Sequence, residues 1–172
     1  RRKSGAELRV SLERLNVATA ATNDGLWDWD FETDRVWYSH RYEQILGYQT
    51  GELGDGLALW RDIVTEDRER VANALQAQLK ANTPFDIEYR VTGQDGRVRW
   101  VHSSAAAVRD PSGAAKRLIG STRDVTDRVL SERKFQVLFE SSSEPHLIYD
   151  ETGIIDCNQA ALSTIGADRK ST

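Results

Sequence analysis

Phe85-Asp-Ile-Glu-Tyr-Arg-Val-Thr-Gly-Gln-Asp-Gly96 and the thirty residues after it decide the fold. Residues 85–92 alternate apolar and polar, the period-two pattern of a half-buried strand. Gly93-Gln-Asp-Gly96 reads as a reversal, because Asp-Gly supplies the positive φ that a tight turn needs. Residues 97–108 form a second strand containing Trp100 and Val101. Asp110-Pro-Ser-Gly113 turns the chain again, and residues 115–125 form a third strand ending at Asp124-Val-Thr126. Two adjacent hairpins make a three-stranded antiparallel sheet. Its apolar face must be covered by the rest of the chain.

The 172 residues are 39% hydrophobic and 29% charged, with a net charge of −4 and dispersed basic residues. That composition suits a globular protein and argues against nucleic acid as the main partner. No run of ~18 apolar residues is present, so no membrane segment is expected here. One cysteine, Cys157, cannot form an internal disulfide and suits a reducing, cytoplasmic setting. The absence of methionine, even at position 1, suggests a piece of a longer chain, one that could be anchored in a membrane upstream.

Residues 1–22 read as a linker and capping helix, with Leu8, Leu12 and Leu15 in one stripe. That stripe fits either the end of a coiled coil or a helix lying on the sheet, and makes a homodimer the expected state. Asn23-Asp-Gly25 stops it. Trp27, Trp29 and Phe31 alternate with Asp28 and Asp30, and residues 35–39 return as the other half of a hairpin. Tyr42, Ile45 and Leu46 share a face of a short helix ending at Gly47. Trp60 and Ile63 anchor a short turn or helix. Thr65 reads as the N-cap of an amphipathic helix carrying Val71, Leu75 and Leu79, with Glu66 and Asp67 favourable to its dipole. Five antiparallel strands with helices on one face make an α+β domain over 23–126. Residues 127–142 read as a connecting helix with an aromatic end, Phe135 and Phe139.

The chain then repeats. Asp24-Gly-Leu-Trp-Asp-Trp-Asp30 aligns with Glu144-Pro-His-Leu-Ile-Tyr-Asp150, and Ser39 to Gly47 aligns with Asn158 to Gly166. A period this long marks tandem domains. The second copy, 143–172, stops before its own central strands, so it is expected to be poorly ordered or to pair with another chain.

Gly25-Leu-Trp-Asp-Trp-Asp30, Ile45-Leu-Gly-Tyr48, Trp60, Glu66-Asp-Arg68, Glu88-Tyr-Arg90, Asp95-Gly96, Arg99-Trp100, Arg109-Asp110, Gly113, Gly120 and Asp124-Val-Thr126 together resemble a PAS domain ending in a PAC motif. One departure is Val64-Thr65, where this subtype often has His-Pro. The resemblance implies a sheet of order 2-1-5-4-3 within a sensory, usually bacterial, signalling protein. Its output would be a histidine kinase or a diguanylate cyclase on other domains of the same chain. It also implies a ligand cavity between the long helix and the inner sheet face, touching Trp29, Tyr42, Trp60, Leu75, Ile87, Tyr89, Val101, Ser103 and Thr122. Asp124, Val125 and Thr126 would carry the signal into the connecting helix. Relatives that bind flavin favour a bulged register with Trp100 outward and Val101 and Ser103 inward; a plain four-residue loop would put Trp100 inward.

The residues themselves argue against several chemistries. No cysteine lies in 48–60 for a covalent flavin, and no histidine lies in 65–81 for haem. His40, His102 and His146 lack metal-ligand spacing, and no catalytic constellation or phosphate loop appears. Thr122 stands where flavin-binding relatives often carry an amide, and can donate only one hydrogen bond. The cofactor stays open between a non-covalent flavin, another small molecule and none. Two functions follow: a ligand sensor, or a ligand-free dimerisation and interaction module.

Overall fold

The computed structural model describes residues 22–54, 62–63 and 65–166. Leu8, Leu12, Leu15 and Trp60 lie outside them. The chain divides into two compact units, the first ending at Thr126 and the second beginning at Asp127.

The first unit is built on five strands. They are β1 (Gly25–Asp30), β2 (Arg35–Tyr38), β3 (Phe85–Thr92), β4 (Val98–Arg109) and β5 (Ala115–Asp124), all antiparallel in the order β2-β1-β5-β4-β3. This is the α+β architecture expected from the two hairpins and the resemblance. The helices are α1 (His40–Ile45) and α2 (Thr65–Ala81). Gly96 takes φ 74° in the β3–β4 turn, as the Asp-Gly pair requires.

The β3–β4 register pairs Tyr89 with Val101 and Arg90 with Trp100. Trp100 therefore faces outward, and Val101 and Ser103 face inward with no exposed surface. This is the bulged alternative. The inner face carries Trp27, Val36, Phe85, Tyr89, Val91, Val101 and Leu118, all buried with Val71 of α2 and Tyr42, Ile45 and Leu46 near α1.

Helix α1 starts at a cap. Ser39 Oγ accepts from Tyr42 N at 3.3 Å and from Leu26 N at 2.8 Å, tying the helix to β1. Helix α2 is fixed at both ends. Near its start, Asp67 accepts three hydrogen bonds from Arg90 of β3. At its end, Arg109 Nη2 donates to the carbonyls of Gln78 and Leu79, both at 2.9 Å; Gln78 O also accepts from Asn82 N at 3.1 Å. Thr65 is the first helical residue, not the cap expected from sequence.

The second unit contains α3 (Thr126–Ser141) from its second residue, then β6 (Leu147–Asp150), β7 (Gly153–Cys157) and α4 (Gln159–Ile165). Strands β6 and β7 form a two-stranded sheet. The repeat seen in sequence recurs in two hydrogen bonds. Ser39 N donates to Leu26 O, and Asn158 N donates to His146 O. Ser39 caps α1, and Asn158 caps α4.

Candidate functional site

The alternation of β1 sends Trp27 and Trp29 to the inner face and Asp28 to the outer one. On β5, Gly120 sits opposite Trp27. A Cβ at Gly120 would lie 2.6 Å from Trp27 Cε2 and 2.7 Å from Ser104 O, so only glycine lets the indole lie flat on the sheet. The indole Nε1 then reaches Thr122 Oγ1 at 3.1 Å. Ser103 Oγ is 2.7 Å from Thr122 Oγ1, and Tyr89 Oη is 3.0 Å from Ser103 Oγ. Trp27, Thr122, Ser103 and Tyr89 form one continuous buried polar chain across β1, β5, β4 and β3. Since indole N–H can only donate, Thr122 must accept from it. Burial pushes the Tyr89 phenol up to about 12, with the Ser103 hydrogen bond acting the other way. The phenol is therefore neutral at physiological pH.

Between this face and α2 lies a cavity of about 20 Å³, lined by Trp27, Trp29, Val71, Leu75, Phe85, Tyr89 and Leu118. That is room for about one water-sized molecule, whereas small-molecule clefts run to ~300 Å³ and more. Of the residues expected to touch a ligand, the structure brings Trp29, Leu75 and Tyr89 to this cavity. Ile87 is half-buried on the same face of β3. Val101, Ser103 and Thr122 are fully buried in the strands but do not line it. Tyr42 stacks on Tyr38 with ring centroids 4.9 Å apart. Its hydroxyl is pushed well up by burial and then by the neighbouring Tyr89 and Tyr38. Trp29 donates Nε1 to Asp34 Oδ1 at 3.1 Å. Trp27 was missed as a site residue, although the alternation Trp-Asp-Trp-Asp puts it on the same face as Trp29.

Flavin and haem, which the resemblance raises, meet little open space among the described residues. The Trp27 indole lies flat on the inner face at Gly120, α2 carries no histidine, and the space between sheet and α2 that the described residues enclose is about 20 Å³. No group of three His, Cys, Asp or Glu among the described residues could hold a metal ion. No helix among them is long and apolar enough to cross a membrane.

On the outer face a second set of contacts leads from α2 to the end of β5. Arg90 N and Nε donate to Asp67 Oδ2 at 2.8 and 2.9 Å, and Nη2 donates to Oδ1 at 3.1 Å. The guanidinium holds the Asp67 carboxyl down to about 2, against the cost of burial. Arg90 Cζ lies 5.6 Å from the centre of the Trp100 ring, within cation–π range. The Trp100 backbone is held on both sides. Val125 N donates to Trp100 O at 2.9 Å, and Trp100 N donates to Thr126 Oγ1 at 3.0 Å. Asp124 Oδ1 accepts from Thr126 N at 2.9 Å and from Thr126 Oγ1 at 2.5 Å. Asp124 thus holds the first residue of α3, and the Thr126 hydroxyl is free to accept from Trp100 N.

Residues 35–122 match the family model described as PAS fold, and residues 133–172 match one described as PAS domain. The solved structure of a sensory box histidine kinase/response regulator from Burkholderia thailandensis is 35% identical, with a TM-score of 0.66, covering 72% of this chain and 93% of that one. A blue-light-activated histidine kinase of Brucella anthropi is 31% identical over 73% of this chain and 25% of its own length. The non-motile and phage-resistance protein of Caulobacter vibrioides is 29% identical over 93% of this chain and 20% of its own. The probable diguanylate cyclase DgcE of Escherichia coli is 24% identical over 83% and 12%. The chain thus spans a quarter or less of these curated relatives. It belongs to the PAS family, as a sensory signal-transduction domain.

Proposed function

We propose that residues 23–126 act as a relay domain with a filled interior, one that passes conformational strain rather than reporting a bound chromophore. The observation that carries this reading is the inner face, closed by the Trp27 indole and the hydroxyl chain to Tyr89, with about 20 Å³ left over. The route out is the contact series Asp67, Arg90, Trp100, Thr126 and the start of α3. The junction Asp124-Val125-Thr126 is its last step. Residues 127–142 then serve as a signalling helix, and 143–172 begin a second PAS domain. The whole protein is a bacterial histidine kinase or diguanylate cyclase working as a cytoplasmic homodimer, through Leu8, Leu12 and Leu15 and the connecting helix. This chain itself performs no catalysis.

The first test is an absorbance spectrum of freshly purified protein, followed by native mass spectrometry of the same sample. The expected result is no band above the tryptophan absorption and a mass equal to the bare chain. A flavin or haem band, or a stoichiometric extra mass, would overturn the filled-core reading. A small ligand between sheet and α2 is the second reading, favoured by the apolar lining of Trp29, Val71, Leu75 and Phe85 and by a relative named as blue-light-activated.

The junction is tested by Thr126→Val, which keeps shape and removes the hydroxyl. Trp100 N loses its acceptor, so stability should fall by about 1–2 kcal/mol. Amide exchange in the first turn of α3 should quicken while β1 and β2 stay protected. Unchanged exchange in α3 would remove Thr126 from the route.

A further inference from the structure

The far end of the connecting helix carries a device that the relay reading does not use. Asn158 has no exposed surface, and its side chain reaches three segments at once. Its Oδ1 accepts from Ala161 N at 3.0 Å, the cap of α4, and from His146 N at 2.9 Å, at the entry to β6. Its Nδ2 donates to Phe139 O at 3.0 Å and to Glu144 O at 2.9 Å, with Ser142 O at 3.5 Å. Phe139 O is one of the four carbonyls that the C-terminal end of α3 leaves without a helical partner. Around the amide, Gln159 N donates to Glu140 Oε2 at 3.3 Å, and His146 Nε2 lies 2.9 Å from Ser142 Oγ. The His146 ring sits 6.3 Å from that of Phe139, which is itself buried.

The first copy of the repeat shows what capping requires. Ser39 stands where Asn158 stands, and makes the two acceptor bonds, to Leu26 N and Tyr42 N. Capping the following helix therefore needs only a hydroxyl. The two N–H donors of asparagine are surplus to that task, and both are used on the chain before β6. A hydroxyl has one donor and a shorter reach, so serine cannot close the same ring of contacts.

We infer that Asn158 is a positioning residue that clasps the last turn of α3 to the β6–β7 hairpin and α4, so that the connecting helix and the start of the second module move as one body. A displacement of α3 then reaches the hairpin undiminished, because no flexible hinge separates them. The inference concerns the second unit alone, and stands or falls independently of whether the first unit holds a ligand.

Asn158→Ser in the full chain imports the cap of the first copy and removes only the clasp. Amide exchange across residues 140–146 should quicken about tenfold, the effect of freeing buried carbonyl partners. The first turn of α4 and residues 85–125 should keep their protection. Asn158→Asp, which retains both acceptor bonds but sets a carboxylate oxygen against the carbonyls of Phe139 and Glu144, should quicken exchange over 140–146 at least as much. Spin labels at the exposed positions Ser131 and Glu151, with Cys157→Ala to remove the native thiol, should give one narrow distance in the parent and a broad distribution in Asn158→Ser. The inference is overturned if either variant exchanges like the parent over 140–146. It is equally overturned if α4 loses as much protection as α3, which would make Asn158 a helix cap and nothing more. Should both variants unfold the second unit, the parent protein still decides. Its two Nδ2 protons must exchange far more slowly than those of an exposed amide, and free exchange would end the argument.

Discussion

Trp27→Ala should destabilise the first unit by about 3–5 kcal/mol, the range for deleting a buried tryptophan from a core that cannot fully collapse. Three separate losses combine. The indole is 3% exposed, so its whole apolar surface leaves the core. Its Nε1 no longer donates to Thr122 Oγ1, and the hydroxyl chain through Ser103 to Tyr89 loses its first donor. The vacated space joins the existing cavity beside Trp29, Leu75 and Leu118. Urea unfolding followed by far-UV circular dichroism should show a lower midpoint with an unchanged slope, since the surface exposed on unfolding is nearly the same. The variant should also gain something the parent lacks. Indole added to the solution matches the hole and can restore the N–H bond to Thr122, so it should raise the melting temperature of Trp27→Ala. It should leave the parent unmoved. An equal shift in the parent would mean that the inner face already has room for a bicyclic ring, contrary to the filled-core reading. Trp27→Phe separates the terms, as it keeps most of the packing and loses only the donor.

The sheet was legible because its signals are local. Asp95-Gly96 and Asp110-Pro-Ser-Gly113 mark two hairpins, and hairpins fix which strands are neighbours. The placement of β1 and β2 beside β5 came from the family resemblance, since no local signal pairs Trp27 with Gly120 across the intervening chain. The β3–β4 register was open from residue counting alone. One extra residue in the turn moves Trp100 from inside to outside, and only comparison with relatives favoured the outward choice. Side-chain partnerships over long separations were not legible. Nothing in Glu66-Asp67-Arg68 says that Asp67, and not Glu66, meets Arg90, because that depends on the roll of α2 on the sheet. The partners at the junction were not legible for a similar reason. Asp124 and Thr126 both suit a helix start, and the choice is made by Trp100 N, which arrives from another strand and takes the threonine hydroxyl. At Asn158 the repeat alignment placed the residue opposite Ser39, but its cap and the reach of its amide to Phe139 O come only from the structure.

The Asp67–Arg90 pair should carry a measurable pH signature. The Asp67 side chain is 9% exposed and accepts three hydrogen bonds, two from a guanidinium and one from a backbone N–H. Its carboxyl titrates at about 2 in the folded state, below the ordinary value of 3.8. A depressed carboxylate stabilises the fold fully above its unfolded value and loses that contribution as pH falls through the folded one. The parent should therefore lose about 1–2 kcal/mol between about pH 4 and pH 2 from this group, less than the full shift implies because water reaches the guanidinium side of the pair. Asp67→Ala should cost about 2–3 kcal/mol at neutral pH, as it strands the Arg90 N–H and a half-buried guanidinium together. Its stability should then fall less steeply than the parent's over the same acid range. Asp67→Asn is the sharper variant. It keeps the size and one acceptor oxygen, loses the charge, and should remove the acid dependence with a smaller loss at neutral pH. Parallel stability curves for parent and Asp67→Asn from pH 4 to pH 2 would show that the pair contributes no charge-dependent stability. The same substitution frees Arg90 from its seat over the Trp100 ring. If the outer-face contacts form one route, amide exchange at Val125 and the first turn of α3 should quicken in Asp67→Ala, although Asp67 touches neither.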